Sequence, residues 1–120
     1  MKIPTFVLKR LYVKGSLRAT GDGIAFTLHN HMATATLTEL RRLTIAGEAI
    51  APERVRVRIG EREADVQHVT ASQPLLFPRG EDAVVEVRGA VQKGSMKVKL
   101  EAQSAEFGEL VIEFEDDAGP

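Results

Sequence analysis

The side chains that most often bind metal ions are few in this sequence. It has no cysteine, and its histidines are His29, His31 and His68. His29 and His31 are two residues apart, so an extended strand would present both imidazoles on one face, about 7 Å apart, as two ligands for a metal ion. Exposed histidines without a ligand are the simpler explanation, and nothing in the sequence fixes a third ligand. We therefore predict no metal site, with His29 and His31 as weak candidates.

The residue patterns that support covalent or acid–base catalysis are also missing. None of the serines stands in a Gly-x-Ser-x-Gly elbow. Paired carboxylates such as Glu61 and Glu63 fall on polar strand faces, where a solvated surface explains them. Gly21-x-Gly23 lacks the further glycine and the helix of a phosphate-binding loop. We expect no catalytic residue in this chain and no enzyme activity of the chain by itself.

Length and composition restrict the possible functions further. The 120 residues, 43% hydrophobic and 28% charged, are sized for one domain, which we place at residues 1–120. The net charge of -1 argues against nucleic acid as the main partner, and the arginines lack interleaved aromatic residues for base stacking. The sequence shows neither an apolar run of about eighteen residues nor a secretion signal, so we expect a cytoplasmic protein with no membrane partner.

Charge is unevenly distributed along the chain. Residues 1–60 hold ten lysines and arginines against four acidic residues, whereas residues 61–120 hold six against thirteen. Cross-strand ion pairs between the two halves would explain this distribution, and a dipolar surface that orients a partner is the alternative. The acidic tail, residues 115–120, is expected to fray. Five arginines could form a basic stripe if their strands are neighbours: Arg41, Arg42, Arg54, Arg56 and Arg58.

Five segments alternate apolar and polar residues with a period of two, which is typical of strands with one buried face. In the segment from Val55 to Ile59, three hydrophobic side chains can face a core while the two arginines face water. The alternating hydrophobic residues of the other four segments are Ile24, Phe26 and Leu28; Val85 and Val87; Met96, Val98, Leu100 and Ala102; and Leu110, Ile112 and Phe114.

Turn residues separate these segments. Glycine-containing turns recur about every ten residues, a spacing that predicts a sandwich or barrel of hairpins. No long amphipathic helix lies between the segments, as a parallel sheet would require. The predicted fold is all-β, a single antiparallel β-sandwich of about eight strands with at most one short helix.

Residues 34–45 allow two interpretations. A threonine and a glutamate three residues apart resemble a capping box, and Leu37 and Leu40 fit one helical turn. Against a helix, four threonines and Ile45 are β-branched and favour a strand. We predict a strand with an irregularity near Leu40, and a short helix over residues 34–40 is the alternative.

The loop from Gln67 to Gly80 holds three adjacent hydrophobic residues between two prolines. The prolines exclude a central strand, yet the hydrophobic side chains need burial. They pack either under the loop or against another molecule. The predicted partner-contact residues are Leu75, Leu76, Phe77 and Arg79.

The stretch Leu43–Val55, followed later by Phe77-Pro78-Arg79-Gly80-Glu81, resembles the small β-subunit family of bacterial C-glycoside deglycosidases. The shared pattern is a strand, a Gly-Glu turn, an apolar-x-Pro-Glu corner and an alternating strand. The likeness extends loosely from Ser16 to Phe114. This chain departs from the family in having Ala46 where an aspartate is frequent, and its central loop is short.

This resemblance implies a function for the chain. The family's small subunit is a β-sandwich that assembles with a larger TIM-barrel-like subunit, which holds a divalent metal and the acid and base residues. The implied reaction cleaves the sugar-to-carbon bond of a 3-keto-C-glycoside, because the ketone acidifies the neighbouring C–H and elimination can expel the aglycone. The chain would then be an accessory subunit of a lyase, with no cofactor of its own.

Two alternatives to the accessory subunit stay open from the sequence. The first is a self-sufficient, homo-oligomeric sandwich that binds a sugar or another small ligand between its sheets or on one face, and that a ligand should stabilise. The second is a metalloenzyme that uses His29 and His31 and contains stoichiometric metal.

Overall fold

The computed structural model describes residues 3–89 and 94–118, which form two antiparallel β-sheets packed face to face. This part of the chain holds one α-helix, α1 (Thr5–Leu8), and three short 3₁₀ helices, at Lys9–Leu11, Pro52–Arg54 and Val66–His68. Its strands are β1 (Arg18–Ala19), β2 (Gly23–His29), β3 (Ala35–Ile45), β4 (Glu48–Ala49), β5 (Val55–Ile59), β6 (Arg62–Asp65), β7 (Leu75–Phe77), β8 (Asp82–Arg88), β9 (Ser95–Ser104) and β10 (Gly108–Asp117).

The order of the strands confirms the predicted all-β sandwich. The first sheet runs β1-β2-β8-β5-β6, and the second runs β10-β9-β3-β4, with β7 paired to the start of β3. The described residues hold ten strands, more than the sequence indicates, because β1, β4 and β7 are only two or three residues long. Segments this short cannot show a repeating pattern.

Each of the five alternating segments lies in a strand and turns its hydrophobic side chains inward. Phe26, Ile59 and Val85 are fully buried between the sheets, whereas Arg56 and Arg58 point outward. Burying a side chain of this size stabilises the fold by about 1.5–3 kcal/mol. The buried hydrophobic residues of both sheets form one continuous core.

Strand β3 confirms the strand interpretation of residues 34–45 and explains the helix-like spacing within it. Two register shifts against β9 interrupt the pairing, one after Leu37 and one after Leu40. Each bulge inserts an extra residue, so the buried leucines of β3 stand three residues apart, at Leu37, Leu40 and Leu43. A spacing that resembles a helical turn is therefore produced by two β-bulges.

The hydrophobic loop residues divide between the core and the surface. Strand β7 pairs with the start of β3, so its side chains alternate between the two faces. Leu75 and Phe77 are buried, which corrects the expectation that they offer a contact surface. Leu76, which is 38% exposed, and Arg79 face outward, and their contact with a partner stays a prediction.

The N-terminal segment, which the alternating pattern does not reveal, crosses one edge of the sandwich. The segment buries Leu8 and Leu11 in the core, and Tyr12 pairs with Leu28 of β2. The Tyr12 ring also stacks on Phe114 of β10 at a centroid distance of 3.6 Å, so the segment joins both sheets. A helix of four residues is too short to produce a recognisable hydrophobic period.

The C-terminal strand continues further than the sequence indicates. Fraying was expected from residue 115, but β10 pairs with β9 through Asp117. Gly119 and Pro120 lie outside the described residues. Across residues 3–89 and 94–118, no helix has the length and the apolar character needed to cross a bilayer.

The close approach of β2 to β8 gives a test of the fold. A Cβ atom added at Gly23 would lie 1.8 Å from the carbonyl oxygen of Val87, whereas one added at Gly21 would meet no heavy atom within 4 Å. Gly23→Ala should therefore lower the free energy of unfolding by about 2–4 kcal/mol, and the matched control Gly21→Ala should change it by no more than about 0.5 kcal/mol. Urea unfolding measures both. Equal stability of the two variants would contradict the close approach.

Candidate functional site

A cavity lies between the inner faces of the two sheets. Its volume is about 180 Å³, somewhat more than the roughly 150 Å³ of an engineered hydrophobic cavity that binds benzene. Small side chains leave this space open, because Ala83 of the first sheet and Ala35 and Ala102 of the second sheet stand where larger residues would fill the layer. Leu8 and Leu11 of the N-terminal segment also line the cavity.

The lining of the cavity is hydrophobic. Apart from Asn30, the described residues that border it are alanine, valine, leucine, isoleucine, methionine and phenylalanine. None of these side chains titrates, so the lining can exclude water and bind apolar surface but cannot transfer a proton. The chemistry of this site is therefore that of binding.

The mouth of the cavity lies at one end of the sandwich. Four lining residues are not fully buried, and they mark the opening: Ile3, Met32, Ala33 and Phe107. They come from the N-terminal segment, the β2–β3 loop and the β9–β10 turn. The unbranched Met32 side chain can adapt its shape, so it suits a position where a ligand enters.

Asn30 fixes the β2–β3 loop beside the mouth. Its side chain is buried, and its Nδ2 donates hydrogen bonds to the carbonyl oxygens of Ala33, at 2.8 Å, and of Phe77, at 2.9 Å. Its Oδ1 accepts hydrogen bonds from the backbone N–H groups of Met32 and Ala33. All four hydrogen-bonding positions of the amide are used within the protein, so none is directed at a ligand.

Glu106 holds the β9–β10 turn at the other side of the mouth. Its carboxylate accepts hydrogen bonds of 2.8 Å from both the backbone N–H and the hydroxyl of Thr36. These two hydrogen bonds lower the pKa of Glu106, the backbone donor having the larger effect. The neighbouring Phe107 borders the cavity, and its backbone N–H donates a hydrogen bond of 3.0 Å to Ser104 Oγ.

A polar contact fastens the N-terminal segment, and with it Leu8 and Leu11, to β10. Tyr12 Oη donates to Asp116 Oδ2 at 2.6 Å and accepts a hydrogen bond from the backbone N–H of Leu17. The backbone N–H of Gly15 also donates to Asp116 Oδ2. Burial, together with the Asp116 contact, raises the pKa of Tyr12, whereas the hydrogen bond from Tyr12 is the main cause of the lowered pKa of Asp116.

The histidines do not meet in the structure. Strand β2 ends at His29, whose Nδ1 lies 2.6 Å from Asp82 Oδ1, and His31 is an exposed loop residue beyond the buried Asn30. His68 lies 3.7 Å from Asp65 at another position in the fold. Among residues 3–89 and 94–118, no three histidine or carboxylate side chains form a group that could hold a metal ion.

The charged residues pair between strands, as the cross-strand interpretation predicts. The proposed basic stripe does not assemble, because Arg41 and Arg42 belong to the second sheet while Arg56 and Arg58 belong to the first. Pairs between the two halves of the chain are Arg41–Glu109, Arg56–Asp65, Arg56–Glu63, Arg58–Glu86 and His29–Asp82. Each exposed pair contributes at most about 1 kcal/mol.

The role of Asn30 can be tested by substitution. Asn30→Ala leaves four backbone groups without their partner and should lower the free energy of unfolding by about 2–4 kcal/mol. Asn30→Asp keeps the acceptor and loses the donor, so it should also be destabilising. The exposed neighbour serves as control, because His31→Ala should change stability by no more than about 0.5 kcal/mol. Chemical unfolding at neutral pH would refute this role if Asn30→Ala and His31→Ala were equally stable.

The lowered pKa of Asp116 predicts a pH dependence of stability. A carboxylate with a lowered pKa in the folded state stabilises the fold above its ordinary pKa of 3.8, and this contribution is lost as the pH falls through the lowered value. Wild type should therefore be more stable than Asp116→Asn at neutral pH, and the two should converge as the pH falls through the lowered pKa of Asp116. Thermal unfolding across pH checks this, with Glu48→Gln as the exposed-carboxylate control. A difference that does not depend on pH would argue against the contact.

Comparison with known proteins identifies the family. Residues 7–118 match the family described as hydroxymethylglutaryl-CoA reductase, N-terminal domain. The match covers both sheets and the greater part of the N-terminal segment. Comparison with curated proteins gives no match.

The family match shows that the resemblance to a C-glycoside deglycosidase subunit is wrong, together with the sugar-cleaving lyase function it implied. The stretch Leu43–Val55 forms a hairpin and a 3₁₀ corner, and Phe77–Glu81 forms a turn, which are elements that many sandwiches share. The expectations of a TIM-barrel-like partner and of a divalent metal in that partner had no other basis. The sugar-binding alternative also finds no support, because the cavity is hydrophobic. The chain belongs to the hydroxymethylglutaryl-CoA reductase N-terminal domain family.

Proposed function

We propose that this chain binds a small apolar molecule, or the apolar end of a larger one, in the cavity between its sheets. The observation that carries the proposal is a hydrophobic space of about 180 Å³ that reaches the surface beside Met32 and Phe107. An empty cavity of this size costs about 4 kcal/mol of stability on the scale of core truncations. A ligand that fills the space would offset that cost.

The size and the lining define the class of ligand. The cavity accepts a single aromatic ring or a chain of about six to eight carbon atoms. A sugar does not suit it, because the hydroxyl groups would lose their hydrogen bonds to water and the Asn30 amide is fully used within the protein. The proposed ligand is therefore apolar within the cavity, and any polar part of it lies outside the mouth.

The family match supports a context for the proposed binding role. Its description names the N-terminal domain of hydroxymethylglutaryl-CoA reductase, so we propose that the chain serves such a reductase as a binding domain without catalytic residues of its own. The non-titrating cavity lining supports this role. A cytoplasmic location is part of the proposal, and the cysteine-free composition is compatible with a reducing compartment.

Calorimetric titration tests the proposal directly. Burial of six to eight carbon atoms at about 0.8 kcal/mol each corresponds to a dissociation constant of about 0.1 mM, or weaker once the ordering of the ligand is included. Toluene and 1-hexanol should bind and stabilise the protein, whereas methyl glucoside should do neither.

A variant whose side chain fills the cavity tests the same proposal by substitution. Ala83→Leu should occupy the space and weaken toluene binding by at least about tenfold while it keeps or raises stability. Ala64→Leu adds the same atoms at a partly buried position outside the cavity lining, so it should leave toluene binding unchanged. Failure of wild type to bind any apolar probe, or equal binding by both variants, would refute the proposal.

A further inference from the structure

A second concave surface lies on the outer face of the second sheet, where α1 stands beside β9 and β10. None of the residues that border it lines the cavity, so this surface, which we call the α1 groove, is independent of the proposed function. The residues of the α1 groove that matter here are Phe6, Lys9, Lys97, Lys99, Glu113 and Glu115.

An unburied aromatic side chain stands at the wall of the α1 groove. Phe6 is 73% exposed, and no other large hydrophobic residue in the described part of the chain exceeds 38%. Leu8 on the same short helix is buried and anchors the helix, whereas most of the Phe6 side chain is left in water. An aromatic ring held in water beside a groove is typical of an interface residue.

The charges of the α1 groove have both signs, and the β9–β10 register sets Glu113 opposite Lys99 and Glu115 opposite Lys97 without an ion-pair contact between them. Lys9, Lys97 and Lys99 make no ion pair with any residue in the described ranges. Glu113 on β10 likewise has no ion pair there. Lysines and carboxylates in one small patch make that patch complementary to a copy of itself.

We propose that the α1 groove is the interface of a symmetric dimer of this chain. A two-fold axis brings the same patch of two copies together, so the patch must be self-complementary. Phe6 of each copy lies in the groove of the other copy, over the aliphatic stems of Lys97 and Lys99. Lys9 of each copy then faces Glu113 of the other.

The second copy fits this patch better than an acidic or a basic partner would. A strongly acidic partner would be repelled by Glu113 and Glu115, and a basic one by the three lysines. The patch is small, so the dimer belongs to the weak class, with less than about 1,200 Å² buried in total. Association is therefore expected in the micromolar range.

Sedimentation equilibrium from about 1 to 200 µM tests the proposal at the concentrations where weak dimers form. The mass of wild type should rise from that of the 13.1 kDa chain toward twice that value. Phe6→Ser should weaken dimerisation by at least about tenfold. The control is Leu76→Ser, which removes an exposed hydrophobic side chain at the other end of β3 and should leave the dimer unchanged.

Charge reversal identifies the contact within the dimer. Lys9→Glu alone and Glu113→Lys alone should each weaken self-association by about tenfold, because both symmetric contacts become repulsive. An equimolar mixture of the two variants restores both contacts and should form a heterodimer as strong as the wild-type dimer.

Three results would overturn the dimer. The first is a wild-type protein that stays monomeric at all concentrations. The second is a dimer that Leu76→Ser dissociates and Phe6→Ser does not. The third is an equimolar mixture of Lys9→Glu and Glu113→Lys that does not recover dimerisation. Toluene binding by Phe6→Ser keeps the two proposals distinguishable, since a monomeric variant should still bind an apolar probe in its cavity.

Discussion

Two sheets that bury their inner faces against each other must stay about 10 Å apart along their whole length, and this spacing governs the rest of the structure. Large side chains fill part of the layer between the sheets. The ring of Phe26 lies 5.1 Å from the ring of Phe114 of the opposite sheet, measured between ring centroids. Ala83 of the first sheet and Ala35 and Ala102 of the second sheet line the cavity, and their side chains are too small to fill the layer there. The cavity is a consequence of small residues in a layer of fixed thickness.

The sequence predicted the parts of this fold that depend on local pattern. Alternation in segments such as Val55–Ile59 predicts a strand because the period of two is a property of the strand itself. The bulges of β3 were anticipated only as an irregularity near Leu40. The cavity could not be predicted, because its alanines come from β3, β8 and β9 and become neighbours only through the strand order. The resemblance failed since Gly-Glu turns and proline corners recur in unrelated sandwiches.

The charged residues also show that composition alone does not predict how residues are arranged in the fold. The net charge of -1 suggests a surface with little electrostatic character. The basic first half and the acidic second half of the chain are largely joined by ion pairs such as Arg58–Glu86 and Arg41–Glu109. Around the α1 groove the pairing is incomplete, and there Phe6 is also exposed. A hydrophobic residue and unpaired charges in one patch are what an interface completes.

Xenon provides the most direct measurement of an accessible, dry cavity, because it enters apolar spaces of this size and makes no hydrogen bonds. In crystals held under xenon pressure, we expect electron density for xenon between the sheets, beside Ala83 and Ala102, with the backbone unchanged. Ordered water in that space, or a collapsed layer in which Met32 and Phe107 fill it, would contradict the account.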